Sequence, residues 1–129
     1  MVTIKCKGEG IVIESGAFTA CGGEEGEYVI NTLISAYKIK DFCEYYVNLS
    51  TQDKNLLKSF TDFGKCKGNN IKEWVDDFFD ENNPMLMVSD LVNDAEYLNI
   101  KPLYKLCVRY IAFKVQTMTM EEIANIGKI

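Results

Sequence analysis

The sequence has 129 residues, a length typical of one domain, of which 47% are hydrophobic and 26% are charged. This composition indicates a globular chain and excludes a disordered or fibrous one. The formal net charge is −5, so the chain repels phosphate backbones and a nucleic-acid partner is not expected. The sequence contains no histidine, which excludes Ser-His and Cys-His dyads and histidine-ligated metal sites.

The cysteines are widely spaced and form no CxxC pair, so neither a zinc knuckle nor a thioredoxin-type site is predicted. We expect reduced, mostly buried thiols in a protein of the cytoplasm and nucleus. Neither an apolar signal-peptide core nor an apolar run of about 18 residues occurs, so we expect no membrane association. The acidic run 76–81 lacks the glycine and the spacing of a calcium loop, and we expect no metal or other cofactor. The five cysteines are Cys6, Cys21, Cys43, Cys66 and Cys107.

The first half of the chain predicts a hairpin, a helix and a third strand. Apolar and polar residues alternate over 2–7, and a glycine turn at 8–10 leads to the β-branched run 11–13. Residues 27–38 have the apolar spacing of a helix. The aromatic and β-branched run 42–49 indicates the third strand.

The second half predicts only helices. Ser50 begins a capping box, and apolar residues at helical spacing follow to Cys66. Asn83-Pro84 is a helix start signal, and that helix runs to about residue 99. Pro102 begins a helix that runs to about residue 116, and a second capping box at 119–122 begins a short last helix. The order of elements predicts an α+β fold, with a small three-stranded sheet under a helical bundle.

The helix after Pro84 has one ordinary apolar stripe and an opposite face that we expect in solvent. Tyr97 and Leu86 lie on that opposite face, beside Asn93. Two interpretations are open, since lone surface tyrosines are common and exposed tyrosines are also enriched at protein interfaces.

The helix after Pro102 has a broader apolar arc, of about 200° against roughly 100° for a helix with one core face. Tyr104, Val108, Phe113 and Val115 widen its central stripe. Either the chain itself covers both sides of this helix, or a partner covers part of the arc. Because little of the printed sequence follows the helix, we expect a partner. The central stripe consists of Leu103, Leu106, Cys107, Tyr110 and Ile111.

Several segments resemble the S-phase kinase-associated protein one family, the adaptors of SCF ubiquitin ligases. Residues 94–103 read D-A-E-Y-L-N-I-K-P-L and resemble the family's A-A-N-Y-L-D-I-K-x-L run. Residues 119–123 read T-M-E-E-I and resemble its T-P-E-E-I, and residues 74–78 resemble its W-D-x-E-F. The stretch 47–58 resembles the family's third strand and the helix after it. The Elongin C family is the second match.

The resemblance implies a BTB/POZ fold in a single domain over 1–129, with a POZ core at 1–101 and partner-binding helices at 102–129. It implies a non-enzymatic adaptor that bridges a cullin N-terminal domain to an F-box protein. The family's cullin-facing pair maps to Glu96 and Tyr97. With Leu86 and Asn93, which the helical spacing places on the same face, the expected cullin contacts are Leu86, Asn93, Glu96 and Tyr97. The resemblance implies F-box contacts at Leu103, Leu106, Cys107, Tyr110 and Ile111.

Two departures from the family keep other interpretations open. Glu96 replaces the family's Asn, so the choice of cullin or the affinity for it is expected to differ. The printed sequence ends at Ile129, before the helices that cover the F-box in the family, so F-box binding is expected to be weaker or altered unless the sequence is truncated. The alternatives are an Elongin C-like adaptor, a POZ module that forms a homodimer, and a decoy that holds a cullin without substrate. An enzyme built on a thiol or a carboxylate is the competing class.

Overall fold

The computed structural model describes residues 1–30, 32–61, 63, 70–79 and 85–117, with the backbone alone at 85–87 and 117. The described elements are three strands and six helices. In chain order they are β1 (Val2–Cys6), β2 (Glu9–Ile13), α1 (Ser15–Ala20), β3 (Glu27–Val29), α2 (Leu33–Val47), α3 (Thr51–Lys58), α4 (Asn70–Phe78), α5 (Met85–Tyr97) and α6 (Lys101–Thr117). The predicted α+β class is confirmed.

The sheet has the order β2-β1-β3 and combines antiparallel and parallel pairing. β1 and β2 form the predicted hairpin, in which Val2 lies opposite Ile13. Lys7 and Gly8 form its turn with φ angles of 49° and 85°, as two-residue hairpin turns require. β3 pairs in parallel with β1, and Tyr28 lies opposite Ile4. The inward-facing residues of β1 and β2 belong to the hydrophobic core, against which α2 packs.

The third strand and the first long helix lie elsewhere than predicted. Residues 27–29 form β3 rather than the start of a helix, because they pair with β1. The run predicted as a strand at 42–49 belongs mostly to α2, which ends at Val47. Phe42, Cys43 and Tyr46 are buried at the spacing of one helix face, so core packing overrides their strand propensity.

One predicted helix cap lies within the described residues, and the structure agrees with it. The Ser50 side chain accepts a hydrogen bond of 3.1 Å from the Asp53 backbone N–H, which confirms the predicted start of α3. α3 ends at Lys58, whereas the predicted helix continued past Cys66 to the Gly68-Asn69-Asn70 stop signal. The Asn83-Pro84 start signal, Cys66 and the 119–122 capping box lie outside the described residues. α5 and α6 are confirmed as helices.

α6 is packed by its own chain on two sides. One side lies against α5, and another lies against α3 and an aromatic cluster. The Arg109 side chain donates hydrogen bonds to the Phe60 carbonyl at 2.8 Å and the Leu57 carbonyl at 3.2 Å, and so joins α6 to the end of α3. Within the part of the chain that the structure describes, no helix is long and apolar enough to cross a bilayer. The aromatic cluster consists of Phe60, Phe63, Phe79, Tyr110 and Phe113.

Candidate interaction surfaces

The corner between α5 and α6 is fixed by backbone hydrogen bonds. The Asn99 N–H donates to the Glu96 carbonyl at 3.1 Å, and the Ile100 N–H donates to the Ala95 carbonyl at 2.9 Å. Asn99 has a φ of 62°, and together these features form a Schellman motif. The Asn99 side-chain amide also donates to the Gly22 carbonyl at 3.0 Å. The corner is therefore tied to the loop after α1.

Tyr97 lies in the last turn of α5 with 60% of its surface exposed. Its ring meets the Tyr28 ring edge to face, with centroids 6.0 Å apart. The Tyr28 hydroxyl donates to the Glu24 carbonyl at 2.7 Å, and the Tyr28 ring lies 5.8 Å from the core residue Phe18. The predicted exposure of Tyr97 is confirmed. The ring is both exposed and positioned, as an interface anchor must be.

Two predicted cullin contacts share this exposed side of α5. Asn93 and Glu96 are exposed, whereas the side chain of Leu86 lies outside the described residues. Glu96 also lines a shallow cleft of about 150 Å³ together with Lys101 and Tyr104. We call Asn93, Glu96 and Tyr97 the α5 surface.

The predicted partner stripe of α6 is buried within this chain. Leu103, Leu106 and Cys107 are 0% exposed, Tyr110 is 6% exposed, and Ile111 is half-buried. The expectation that a partner covers this stripe is wrong, because α5, α3 and the rings of Phe63 and Phe79 already cover it.

A narrower apolar strip of α6 remains exposed. Val108 is 43% exposed and Val115 is 39% exposed, and the exposed Ala112 lies between them. Their spacing of i, i+4 and i+7 places the three side chains on one face of the helix. We call Val108, Ala112 and Val115 the α6 strip.

The described cysteines do not favour nucleophilic chemistry. Cys6, Cys21, Cys43 and Cys107 are free and buried, and Cys66 lies outside the described residues. The pKa of Cys43 is raised mainly by a hydrogen bond with Cys21 and then, to a smaller extent, by burial. Burial raises the pKa of Cys107. Both thiols are therefore held in the neutral form, which is a poor nucleophile.

The acidic run after Trp74 is partly engaged in an ion pair. Lys72, buried in α4, lies 3.1 Å from the Asp76 carboxylate, whereas Asp77 is exposed. Among the residues whose placement is described, no group of three or more Cys, Asp or Glu side chains is arranged to hold a metal ion. Asp80 and Glu81 fall outside that part of the chain.

A second cleft, of about 380 Å³, was not predicted from the sequence. It lies where the loop after α1 meets α2, the end of α3 and the start of α6. The sequence signal that could have indicated this cleft is a pair of lysines one turn apart at the start of α6, together with a third lysine at the end of α3. We call it the lysine cleft. Its lysines are Lys58, Lys101 and Lys105, and Ala20, Tyr46 and Pro102 form apolar parts of its wall.

Two of the described surfaces expose apolar groups beside polar ones. The α5 surface combines an aromatic ring with an amide and a carboxylate, and the α6 strip is aliphatic. Exposed aromatic and aliphatic groups with a polar surround are typical of sites that bind other proteins. Comparison of the sequence with protein-family models and with curated proteins finds no match.

Proposed function

We propose that this protein is a non-enzymatic adaptor of an SCF-type cullin–RING ubiquitin ligase in the cytoplasm and nucleus. It has a POZ fold and bridges a cullin N-terminal domain to an F-box receptor. The observation that carries the proposal is Tyr97, which is exposed yet held in place by Tyr28 within the segment that resembles the family signature. The neutral thiols of Cys43 and Cys107 support a binding function over a thiol enzyme.

The cullin contact is the α5 surface. Its anchor needs little ordering on binding, because the Schellman motif fixes the backbone and Tyr28 restrains the ring of Tyr97. Glu96 presents a carboxylate where the family has an amide. The cullin surface opposite Glu96 must therefore offer a cation or a hydrogen-bond donor, since a second carboxylate there would repel it.

The receptor contact is the α6 strip and not the buried stripe beneath it. Val108, Ala112 and Val115 offer side chains that an apolar helix of a receptor can cover without unpacking α6. The buried stripe contributes indirectly, because it holds α6 against α5 and α3. A receptor helix would lie along about two turns of α6, the length that these three residues span.

Size-exclusion chromatography of the protein with a cullin N-terminal domain and an F-box peptide tests this function. We expect the three components to co-elute. Val108→Asp should release the F-box peptide and leave the cullin bound, because it places a charge on the α6 strip. Val12→Asp is the matched control, since Val12 is 45% exposed on β2.

Co-elution with neither component would contradict the adaptor function. Binding of cullin without the peptide would instead support a decoy that recruits no substrate. Equal loss of the peptide in Val108→Asp and Val12→Asp would show that the α6 strip is not the receptor contact.

A further inference from the structure

We propose that the lysine cleft binds an acidic peptide segment of a partner protein. Lys58, Lys101 and Lys105 converge on this cleft although the whole chain has a formal net charge of −5. Among the residues whose placement the structure describes, no carboxylate side chain lines the cleft. Within the described ranges, none of the three ammonium groups lies within 4.0 Å of a carboxylate, whereas Lys5, Lys40 and Lys72 each have such a partner. The cleft therefore holds positive charge that forms no direct ion pair with the described part of the chain.

Two of these lysines stand where helix electrostatics disfavour them. Lys101 is the first residue of α6, and Lys105 follows one turn later. The N-terminal end of a helix carries partial positive charge, and the first turn of α6 contains no acidic residue to offset it. Like charges four residues apart on a helix also repel each other. A bound anion would relieve both repulsions. Lys58 differs, because the C-terminal end of α3 favours a cation.

The walls of the cleft suit a peptide better than a bare anion. Apolar parts of Ala20, Tyr46 and Pro102 line the same cleft as the ammonium groups, so an aliphatic side chain of the peptide can pack against them. The volume of about 380 Å³ holds a few side chains and no whole domain. A nucleic acid would extend its phosphates beyond the cleft over a chain of net charge −5, whereas an acidic segment can place its few carboxylates in the cleft alone.

The position of the cleft links it to the α5 surface. Lys101 lines both the lysine cleft and the smaller cleft beside Glu96. A partner seated on the α5 surface can therefore continue an acidic segment into the lysine cleft. The inference does not require that this partner be a cullin, because it stands on the charge and shape of the cleft alone.

Fluorescence polarisation with a fluorescein-labelled peptide of alternating glutamate and leucine tests the proposal on the full chain. We expect Lys101→Glu and Lys105→Glu each to weaken binding by roughly five- to tenfold, as loss of charge-assisted contacts predicts. Lys7→Asp is the matched control, because it makes the same change of charge at an exposed hairpin residue where Asp tolerates the positive φ. We expect this control to change binding by less than about twofold.

Urea unfolding supplies a second readout on the same variants. Lys101→Glu should raise the free energy of unfolding, because it places an anion at the positive end of α6, while it weakens peptide binding. Loss of both stability and binding would overturn the proposal.

Three further outcomes would overturn it. The first is that Lys7→Asp weakens peptide binding as much as Lys101→Glu and Lys105→Glu do. The second is full displacement of the peptide by inorganic phosphate at matched ionic strength. The third is binding of a thymidylate oligomer as tightly as the peptide. None of them bears on cullin binding, which is measured separately.

Discussion

At the scale of single residues, Asp94 carries an electrostatic conflict. It lies in α5, and its Oδ2 atom is buried without a hydrogen-bond partner among the described residues. Burial raises the pKa of Asp94, and the charge of Asp90 raises it further, whereas a hydrogen bond with Ser35 opposes the rise. The folded protein therefore binds a proton at Asp94 more tightly than the unfolded chain does.

This shift predicts a stability that falls as pH rises. Asp94 contributes its stabilisation fully below the unfolded pKa, and the contribution is lost as pH rises through the raised folded pKa. Asp94→Asn should flatten this part of the profile and be more stable than the wild type at neutral pH. Urea unfolding between about pH 4 and about pH 7 measures the slope. Asp41→Asn, at an exposed position of α2, is the control and should leave the slope as it is. A steeper slope in Asp94→Asn would contradict this account.

Position 23 requires glycine, because its backbone lies close to the ring of Phe18. A methyl group at this position would overlap the ring of Phe18, which is 0% exposed. Gly23→Ala should therefore destabilise the fold by about 1–3 kcal/mol, as overpacking of a core does. Gly16→Ala is the matched control, because its methyl group would meet only Glu14 Oε1, at 3.7 Å, and alanine favours the helix α1 by about 0.5–1 kcal/mol. Urea unfolding compares the two, and equal stability would refute the overlap.

At the scale of elements, Arg109 connects α6 to the end of α3. Its guanidinium satisfies the carbonyls of Leu57 and Phe60, and burial lowers the pKa of Arg109. Arg109→Met should cost about 1–3 kcal/mol in the free energy of unfolding, because the Phe60 carbonyl loses the Arg109 donor and the Leu57 carbonyl is left with the Phe60 backbone N–H, while the apolar stem is kept. Arg109→Lys keeps one donor and should lose less. Equal stability of Arg109→Met and the wild type would show that water replaces both bonds at no cost.

Local periodicity explains which elements could be predicted from the sequence. α5 and α6 have long helical periodicity and were predicted as helices. The prediction split α2 into the end of one helix and a strand, because its buried aromatic residues have high strand propensity. The three-residue strand β3 has no period of its own and depends on β1 across the sheet. Short segments of this kind are defined by tertiary pairing, which local patterns do not contain.

The candidate site was predicted in part for related reasons. Helical periodicity placed Tyr97 on the exposed face of α5, and the structure confirms it there. The same angular argument did not show that α3 and the aromatic cluster would cover α6, because those contacts join residues about fifty positions apart, as in the bond from Arg109 to Phe60. The lysine cleft is lined by residues of four helices, so local sequence patterns could not predict it either. The cullin and F-box assignments stay predictions.

At the scale of the whole molecule, α6 connects the core to the proposed surfaces. Its buried stripe joins the same hydrophobic core as the sheet and α2. Its first turn lines the lysine cleft, and its outer face carries the α6 strip. A division into a core at 1–101 and separate helices at 102–129 therefore understates how far α6 contributes to the fold.

The central claim is that the α5 surface is the cullin contact, and isothermal titration with a cullin N-terminal domain tests it most directly. We predict that Tyr97→Ala weakens binding by about 1–3 kcal/mol, as truncation of an aromatic anchor does. Tyr37→Ala, at a tyrosine of α2 that is 50% exposed, should bind as the wild type does. Absence of wild-type binding, or an affinity that Tyr97→Ala leaves unchanged, would contradict the claim.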